Sequence, residues 1–376
     1  MSQWRNEDFW IEIDLDNVRR NYREVKSKIG GRKGVIAVVK ADAYGHGLVA
    51  TAKALEQEQV DILAVSHFGE GRELREQGIK APILLMTPAL PENYGAIVDL
   101  DLIPTVDNAA NLAALAEAAG AKEYPFHLKI NTGMNRFGLD LDAIPEFFKE
   151  LHKYGNIRLA GVFSHIATAL SKDHPQTKQQ IANFEAALAV IRSKIDYNFD
   201  VHLCNSAAAI TCPTARYDYV RVGTVLYGQF PAAYLQGSLS LAHTWQAKAR
   251  IIEVRQAAAG ARVGYSGDYM VKKNQRLGVI PVGYTDGFGI QPPLNNVSWK
   301  IFVRQALKLL RSFVRRRPNN VVYFEGKALA VVGRIAMQTA VISLEHTDAG
   351  IGAVVDVPLR RTAVAPSTKK IYKGSV

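Results

Sequence analysis

Between residues 35 and 222 one pattern recurs eight times: a short run of apolar, β-branched residues, then a stretch with helical spacing. The runs cover residues 35–39, 62–66, 83–86, 102–105, 126–130, 159–164, 201–204 and 220–222, and the helical stretches include 111–119, 144–153 and 176–194. Strand–helix alternation demands a parallel sheet joined by crossover helices. Eight such units suffice to close the sheet on itself, so the fold class read here is α/β, with an N-terminal (β/α)₈ barrel. An open, doubly wound sheet is the alternative. Before the repeat, residues 10–15 alternate like a strand and 16–29 carry helical periodicity.

The texture changes after about Leu241. Runs at 247–254, 276–282, 320–323, 329–332 and 341–344 are separated by Gly-, Asp- and Asn-rich turns, which predicts a second, mainly-β domain. The chain of 376 residues is long enough for both. The reading assigns 10–240 to the barrel and 1–9 with 241–376 to the β domain, the boundary falling between Gly228 and Trp245. Apolar residues make up 48% and charged residues 22%, enough to bury two cores. With no window of about eighteen apolar residues, no transmembrane segment is expected. The polar start lacks an apolar signal core, and Cys204 and Cys212 are too few for a disulfide framework, so a cytoplasmic setting is expected. No Cys/His cluster has metal-ligand spacing.

The net charge of +11 raises the question of an anionic partner. Much of it concentrates in residues 299–318, where Lys300, Arg304, Lys308, Arg311 and Arg315 recur opposite Ile301, Leu309 and Phe313 before Pro318. The spacing predicts a basic amphipathic helix within an insert at about 297–318. Such helices mostly pack their apolar stripe on their own protein or a subunit; a membrane surface or nucleic acid is the other use, and no nucleic-acid partner is expected.

The chemistry gathers at the carboxyl ends of the strands, where barrels place their sites. Residues 38–47 read Val-Val-Lys-Ala-Asp-Ala-Tyr-Gly-His-Gly, which puts Lys40 at such an end. A lysine among apolar neighbours loses its proton more easily, and the free amine suits Schiff-base chemistry with an aldehyde cofactor. Arg136, in Asn-Thr-Gly-Met-Asn-Arg-Phe-Gly after a strand holding Lys129, is either a clamp for a substrate carboxylate or a plain loop arginine. His165 is equally open between ligand and core. Ser206, Gly223 and Thr224 follow the last two strands, where barrels often cradle phosphate. Tyr265 follows Gly264 in the β domain; by itself it reads as a packing tyrosine.

In this order the motifs resemble those of bacterial alanine racemases, and residues 38–47 resemble their pyridoxal-phosphate attachment signature. The resemblance spans roughly residues 9–344. It implies a pyridoxal 5'-phosphate cofactor, a small amino-acid substrate, and a homodimer with active sites shared between subunits. The reaction implied is racemisation of L-alanine to D-alanine, the D-isomer serving peptidoglycan. By the same resemblance Lys40 carries the cofactor and is the base on one face of the substrate Cα, and Tyr265 of the opposite subunit serves the other face. His165 tunes that tyrosine, and Arg221 faces the pyridine nitrogen. Tyr44, Ser206, Gly223, Thr224 and Tyr372 hold the phosphate. Arg136 and the Met337 amide hold the substrate carboxylate, and Lys129 is the position the family can carbamylate. The logic is coherent: inversion needs an acid/base group on each face, and both have free pKa values of about 10 that need lowering.

Departures concern the substrate entrance. Gln338 stands where the family has aspartate, Leu170 replaces the aspartate ending the His165 motif, and Phe288-Gly-Ile-Gln replaces a Tyr-Pro-Arg stretch. Residues 357–362 and 369–372 match the family's final segment only loosely. These changes raise a serine or broader-specificity racemase as the alternative. A decarboxylase of similar layout is expected to carry a carboxylate where Arg221 stands, and a non-catalytic cofactor-binding barrel lacks the β domain.

Overall fold

The computed structural model describes residues 7–290, 299, 303, 307 and 320–375. It divides into two compact units, one running from Asp14 to Thr244, the other from Trp245 to Lys373 together with the chain before Asp14. The insert expected at about 297–318 lies outside the described residues except for Trp299, Val303 and Leu307, which are helical.

The first strand, β1 (Phe9–Asp14), joins the sheet of the β unit, so that unit reaches Ile13 where the sequence reading stopped at residue 9. Asp14 then caps α1 (Leu15–Ile29), accepting from the Asn17 amide at 2.8 Å. Val18, Tyr22, Val25 and Ile29 form its buried stripe. There follow β2 (Gly34–Val38), α2 (Lys40–Gly45), α3 (Leu48–Gln57), β3 (Ile62–Val65), α4 (Phe68–Glu76), β4 (Ile83–Leu85) and α5 (Tyr94–Asp99). Next come β5 (Thr105–Val106), α6 (Ala109–Ala119), β6 (Tyr124–Lys129), α7 (Ile144–Leu151), β7 (Ile157–Phe163), α8 (Pro175–Arg192), β8 (Asp200–His202), α9 (Ser206–Thr211) and β9 (Tyr219–Val222).

The eight strands β2–β9 lie parallel in the order β4-β3-β2-β9-β8-β7-β6-β5. At the ends of that order, Leu85 donates its amide to the Ile103 carbonyl at 2.9 Å and Ile103 donates to Ile83 at 2.8 Å, which closes the cylinder. The expected barrel is therefore present. Its fourth strand is shorter and later than read: Pro104 has no amide to donate, so the expected run 102–105 contributes one bridge at Ile103 and the strand proper is Thr105–Val106.

Period-two alternation sorts the strand residues. In β2, Val35 and Ala37, with Val39 beyond it, join the core shared with the helices, while Ile36 and Val38 fill the barrel interior with Ile62, Ala64 and Leu84. Strands buried on both faces read as unbroken apolar runs, which is why they were legible.

The β unit carries β10 (Trp245–Arg250), β11 (Glu253–Ala257), β12 (Arg262–Val263), β13 (Tyr269–Met270), β14 (Gln275–Ile280), β15 (Val321–Phe324), β16 (Lys327–Val332), β17 (Ala340–Ser343), β18 (Val354–Asp356) and β19 (Lys370–Lys373). Nine strands form one sheet, β11-β14-β17-β16-β15-β18-β10-β1-β19, and β12 pairs with β13. The single run expected at 247–254 is two strands. Ile251 and Ile252 lie between them, donating to Ala353 and Val279 respectively, so the chain changes partners there. Among the described residues no helix is long and apolar enough to cross a membrane.

Candidate active site

Lys40 continues the inward series Ile36, Val38 of β2, two residues further on. Immediately after it the backbone does something unusual. Ala41, Asp42, Ala43 and Tyr44 have φ of 53°, 54°, 51° and 55°, a complete left-handed turn made without glycine. Each such L-residue is disfavoured by about 1–2 kcal/mol, so the turn persists only because its surroundings hold it. The Ala43 amide donates to Val39 at 2.8 Å, and the Leu48 amide donates to Asp42 Oδ1 at 2.9 Å. His46, fully buried, bonds Thr244 Oγ1 through Nε2 at 2.8 Å. The turn delivers Lys40 and Tyr44 to one cavity of about 480 Å³ at the carboxyl ends of the strands.

Lys129, Arg136, His165, Ser206, Arg221, Gly223 and Thr224 line the same cavity. Burial, and then the Arg136 charge, lower the proton affinity of Lys40, with Glu70 opposing. Lys129 is pulled down to about 7 by burial and then by Arg221 and Arg136; its Nζ donates to the Met86 carbonyl at 3.0 Å. Burial, reinforced by Arg221, pushes His165 down to about 3, so it is neutral, with Asn205 Nδ2 3.3 Å from its Nε2.

Arg221 is a buried cation with no carboxylate bonded to it among the described residues. Its Nη1 donates to the His202 carbonyl and to His202 Nδ1, both at 2.9 Å; its Nη2 donates to the Ser164 carbonyl and, at 3.1 Å, to Leu203. A guanidinium only donates, so His202 Nδ1 accepts and its proton sits on Nε2, which donates to His127 Nδ1 at 2.9 Å. Burial keeps both rings neutral, His127 at about 4 and His202 well below its ordinary value. The chain Arg221–His202–His127 thus runs in one direction through the barrel interior.

On the other side of the cavity the Gly223 amide donates to Ser206 Oγ at 3.1 Å. A Cβ on Gly223 would stand 2.5 Å from Tyr44 Oη, so any larger residue there would have to push the Tyr44 ring away. Amine, buried cation and a tight hydroxyl- and amide-lined cradle together fit an aldehyde cofactor bearing a heteroaromatic nitrogen and a phosphate.

Tyr265, Met337 and Tyr372 belong to the other unit. Tyr265 opens a short turn after Gly264 (φ 75°) with its side chain 70% exposed, and Met337 is 58% exposed, its carbonyl accepting from Thr285 Oγ1 at 2.6 Å. Tyr372 lies on the edge strand β19, half-buried. The sequence reading passed over His127, His202, Asn205 and Glu70. Period two was the missing signal for the histidines, since His127 shares the inner face of β6 with Lys129.

Among the described residues no group of three His, Cys, Asp or Glu side chains could hold a metal ion. The family profile "Alanine racemase, N-terminal domain" matches residues 13–231, and "Alanine racemase, C-terminal domain" matches 244–365. The chain is 33% identical to the alanine racemase of Carboxydothermus hydrogenoformans over 90% of its length and 86% of that protein's. It is 36% identical to that of a Nostoc species over 76% and 75%. In structure it is similar to the alanine racemase of Clostridium difficile, with a TM-score of 0.85 at 27% identity, covering 98% of this chain and 96% of that one. The alanine racemase of D-cycloserine-producing Streptomyces lavendulae also gives a TM-score of 0.85, at 26% identity, covering 99% of each chain.

Proposed function

The chain belongs to the alanine racemase family, and from that premise we propose that its barrel holds pyridoxal 5'-phosphate at Lys40 and interconverts L- and D-alanine. The observation that carries the reading is the pairing, on one cavity, of an amine eased toward neutrality and a buried guanidinium with no carboxylate bonded to it among the described residues. The cofactor, when bound, supplies an electron sink that makes the substrate's α-proton acidic.

The protein's own residues do the rest. Lys40 removes or returns the proton on one face of Cα, and its lowered proton affinity suits it to both directions. Tyr265, exposed in the β unit, serves the other face from a partner subunit, which makes the working enzyme a homodimer. Arg221, buried and cationic, would face the cofactor's ring nitrogen and disfavour a proton there, so the group would supply a weaker electron sink and return of the proton to Cα would be favoured over transamination. Ser206, Gly223, Thr224, Tyr44 and Tyr372 hold the phosphate. Arg136 and the Met337 amide hold the substrate carboxylate, and Lys129, carbamylated, orients Arg136. The two cysteines are free thiols, Cys204 buried, as suits a cytoplasmic enzyme.

The test is α-proton exchange in deuterium oxide, followed by NMR, with L-alanine and L-serine supplied separately and the products analysed for chirality. Exchange with inversion of alanine is expected. Comparable turnover of serine would tie the entrance changes, including the exposed Leu170 lining the cavity, to a broader pocket. No exchange with either substrate, in protein that visibly binds the cofactor, overturns the proposal.

A further inference from the structure

We propose that Glu70 is a positioning residue for Lys40, its carboxylate clamping the first amide of the left-handed turn to the start of α4. The proposal rests on the reading of Lys40 as the cofactor's attachment point. Glu70 stands on the third residue of α4 and is half-buried. Its Oε2 accepts from the Ser66 and His67 amides at 2.9 and 3.0 Å, the ordinary duty of an acidic residue there. Its Oε1 does something else: it accepts from the Ala41 amide, the residue directly after Lys40, at 2.6 Å.

The location explains why a side chain is needed. The β2–β3 ladder ends where Val39 donates to the Ala64 carbonyl at 2.8 Å. Past that bond the two chains separate, Lys40 into its left-handed turn and Ser66 into α4. The carboxylate bridges the gap and replaces the missing ladder bonds with three charge-assisted ones across two loops. Ser66 and His67 line the same cavity as Lys40, so the clamp forms part of its rim. A strained turn beginning at Ala41 has its first amide pinned, and the Lys40 backbone is fixed between that pin and β2.

The two oxygens have separate duties, which makes the clamp separable from the helix cap. In Glu70→Gln only one oxygen remains; turned toward Ser66 and His67 it keeps the cap, and its NH₂ then opposes the Ala41 N–H. Glu70→Asp keeps the charge and reaches its own helix start but falls short of Ala41. The experiment strips the cofactor, adds limiting pyridoxal phosphate, reduces with borohydride and measures the adduct on the Lys40 peptide by mass spectrometry, beside the melting temperature of each stripped protein. Both variants are expected to melt near the parent and to trap at least about tenfold less adduct, as for the loss of one hydrogen bond to a charged group. Equal trapping in parent and variants overturns the clamp. So does parental trapping by Glu70→Asp alone, because charge without reach would then suffice. A fall in trapping matched by collapse of melting in both variants makes Glu70 merely structural and also overturns it. A parent that traps nothing at Lys40 instead overturns the attachment reading beneath it.

Discussion

Replacing Gly161 by alanine tests whether the barrel interior is built as the Arg221–His202–His127 chain requires. Gly161 is on β7, and a Cβ there would lie 2.6 Å from His127 Cε1 and 2.7 Å from both ring nitrogens. Carbon atoms in ordinary contact are about 3.5–4.0 Å apart, so the ring must move by roughly 1 Å. It has nowhere free to go: His127 is buried, and its Nδ1 is bonded to His202, which stacks on Phe163 at 4.8 Å. Overpacking a core costs about 1–3 kcal/mol, and leaving the His202 N–H without its acceptor costs about 1–3 kcal/mol more. A destabilisation of about 3 kcal/mol, at about 2–4 °C per kcal/mol for a domain this size, lowers the melting temperature by roughly 6–12 °C. Circular dichroism melts of the holoenzyme measure it. Because His202 then holds Arg221 less firmly, absorbance during turnover of alanine should also show more enzyme lost to the pyridoxamine form. Adding His127→Ala to the variant restores the space and should recover part of the melting temperature, a coupling read from the double-mutant cycle. A shift below about 1 °C in Gly161→Ala would refute the reasoning, since ring and strand would then be loosely packed.

Gly223→Ala should displace Tyr44 and weaken pyridoxal phosphate binding at least about tenfold, measured by fluorescence titration, because a tight site tolerates no added methyl group. Lys40→Arg should abolish the borohydride-trapped adduct and cut α-proton exchange by about 10²–10⁴ or more, the span for a positioned acid/base group. Acid should destabilise the barrel: unfolded histidines bind protons below their ordinary 6.5, whereas His127 and His165 wait until about 4 and about 3. Unfolding thus takes up protons in that window, and stability falls as pH drops from 6.5 toward 4 while the histidines contribute no slope above it; urea midpoints at several pH values check this, and His165→Gln should flatten the slope. With Lys129 at about 7, a substantial neutral fraction exists at neutral pH, so ¹³C-bicarbonate should give a carbamate NMR signal that Lys129→Arg removes.

Much of the architecture was legible because it rests on local periodicity. Runs such as Gly34–Val38 and Ile62–Val65 are buried on both faces and read as strands whatever their neighbours do. The turn to an antiparallel sheet after Trp245 showed in its spaced Gly, Asp and Asn residues. The two strand misreadings have local causes of another kind, a proline without a donor and a change of partner at Ile251–Ile252. Lys40, Ser206, Gly223 and Thr224 could be proposed because they end strands, and strand ends in a barrel converge.

The conformation of residues 41–44 could not be read. Alanine, aspartate and tyrosine prefer right-handed backbone, and bonds with Val39, His46, Gly47, Leu48 and Glu70 help hold the opposite hand. Nor could the company of Arg221: His202 is nineteen residues away in sequence and His127 lies 75 residues beyond it. The sequence by itself determined that eight apolar strands alternate with helices and that Lys40, Ser206, Gly223 and Thr224 follow strand ends, because alternation and propensity act within a few residues. Which inward residues touch was decided by strand register and barrel closure, since burial in a shared interior sets partners that no local pattern encodes.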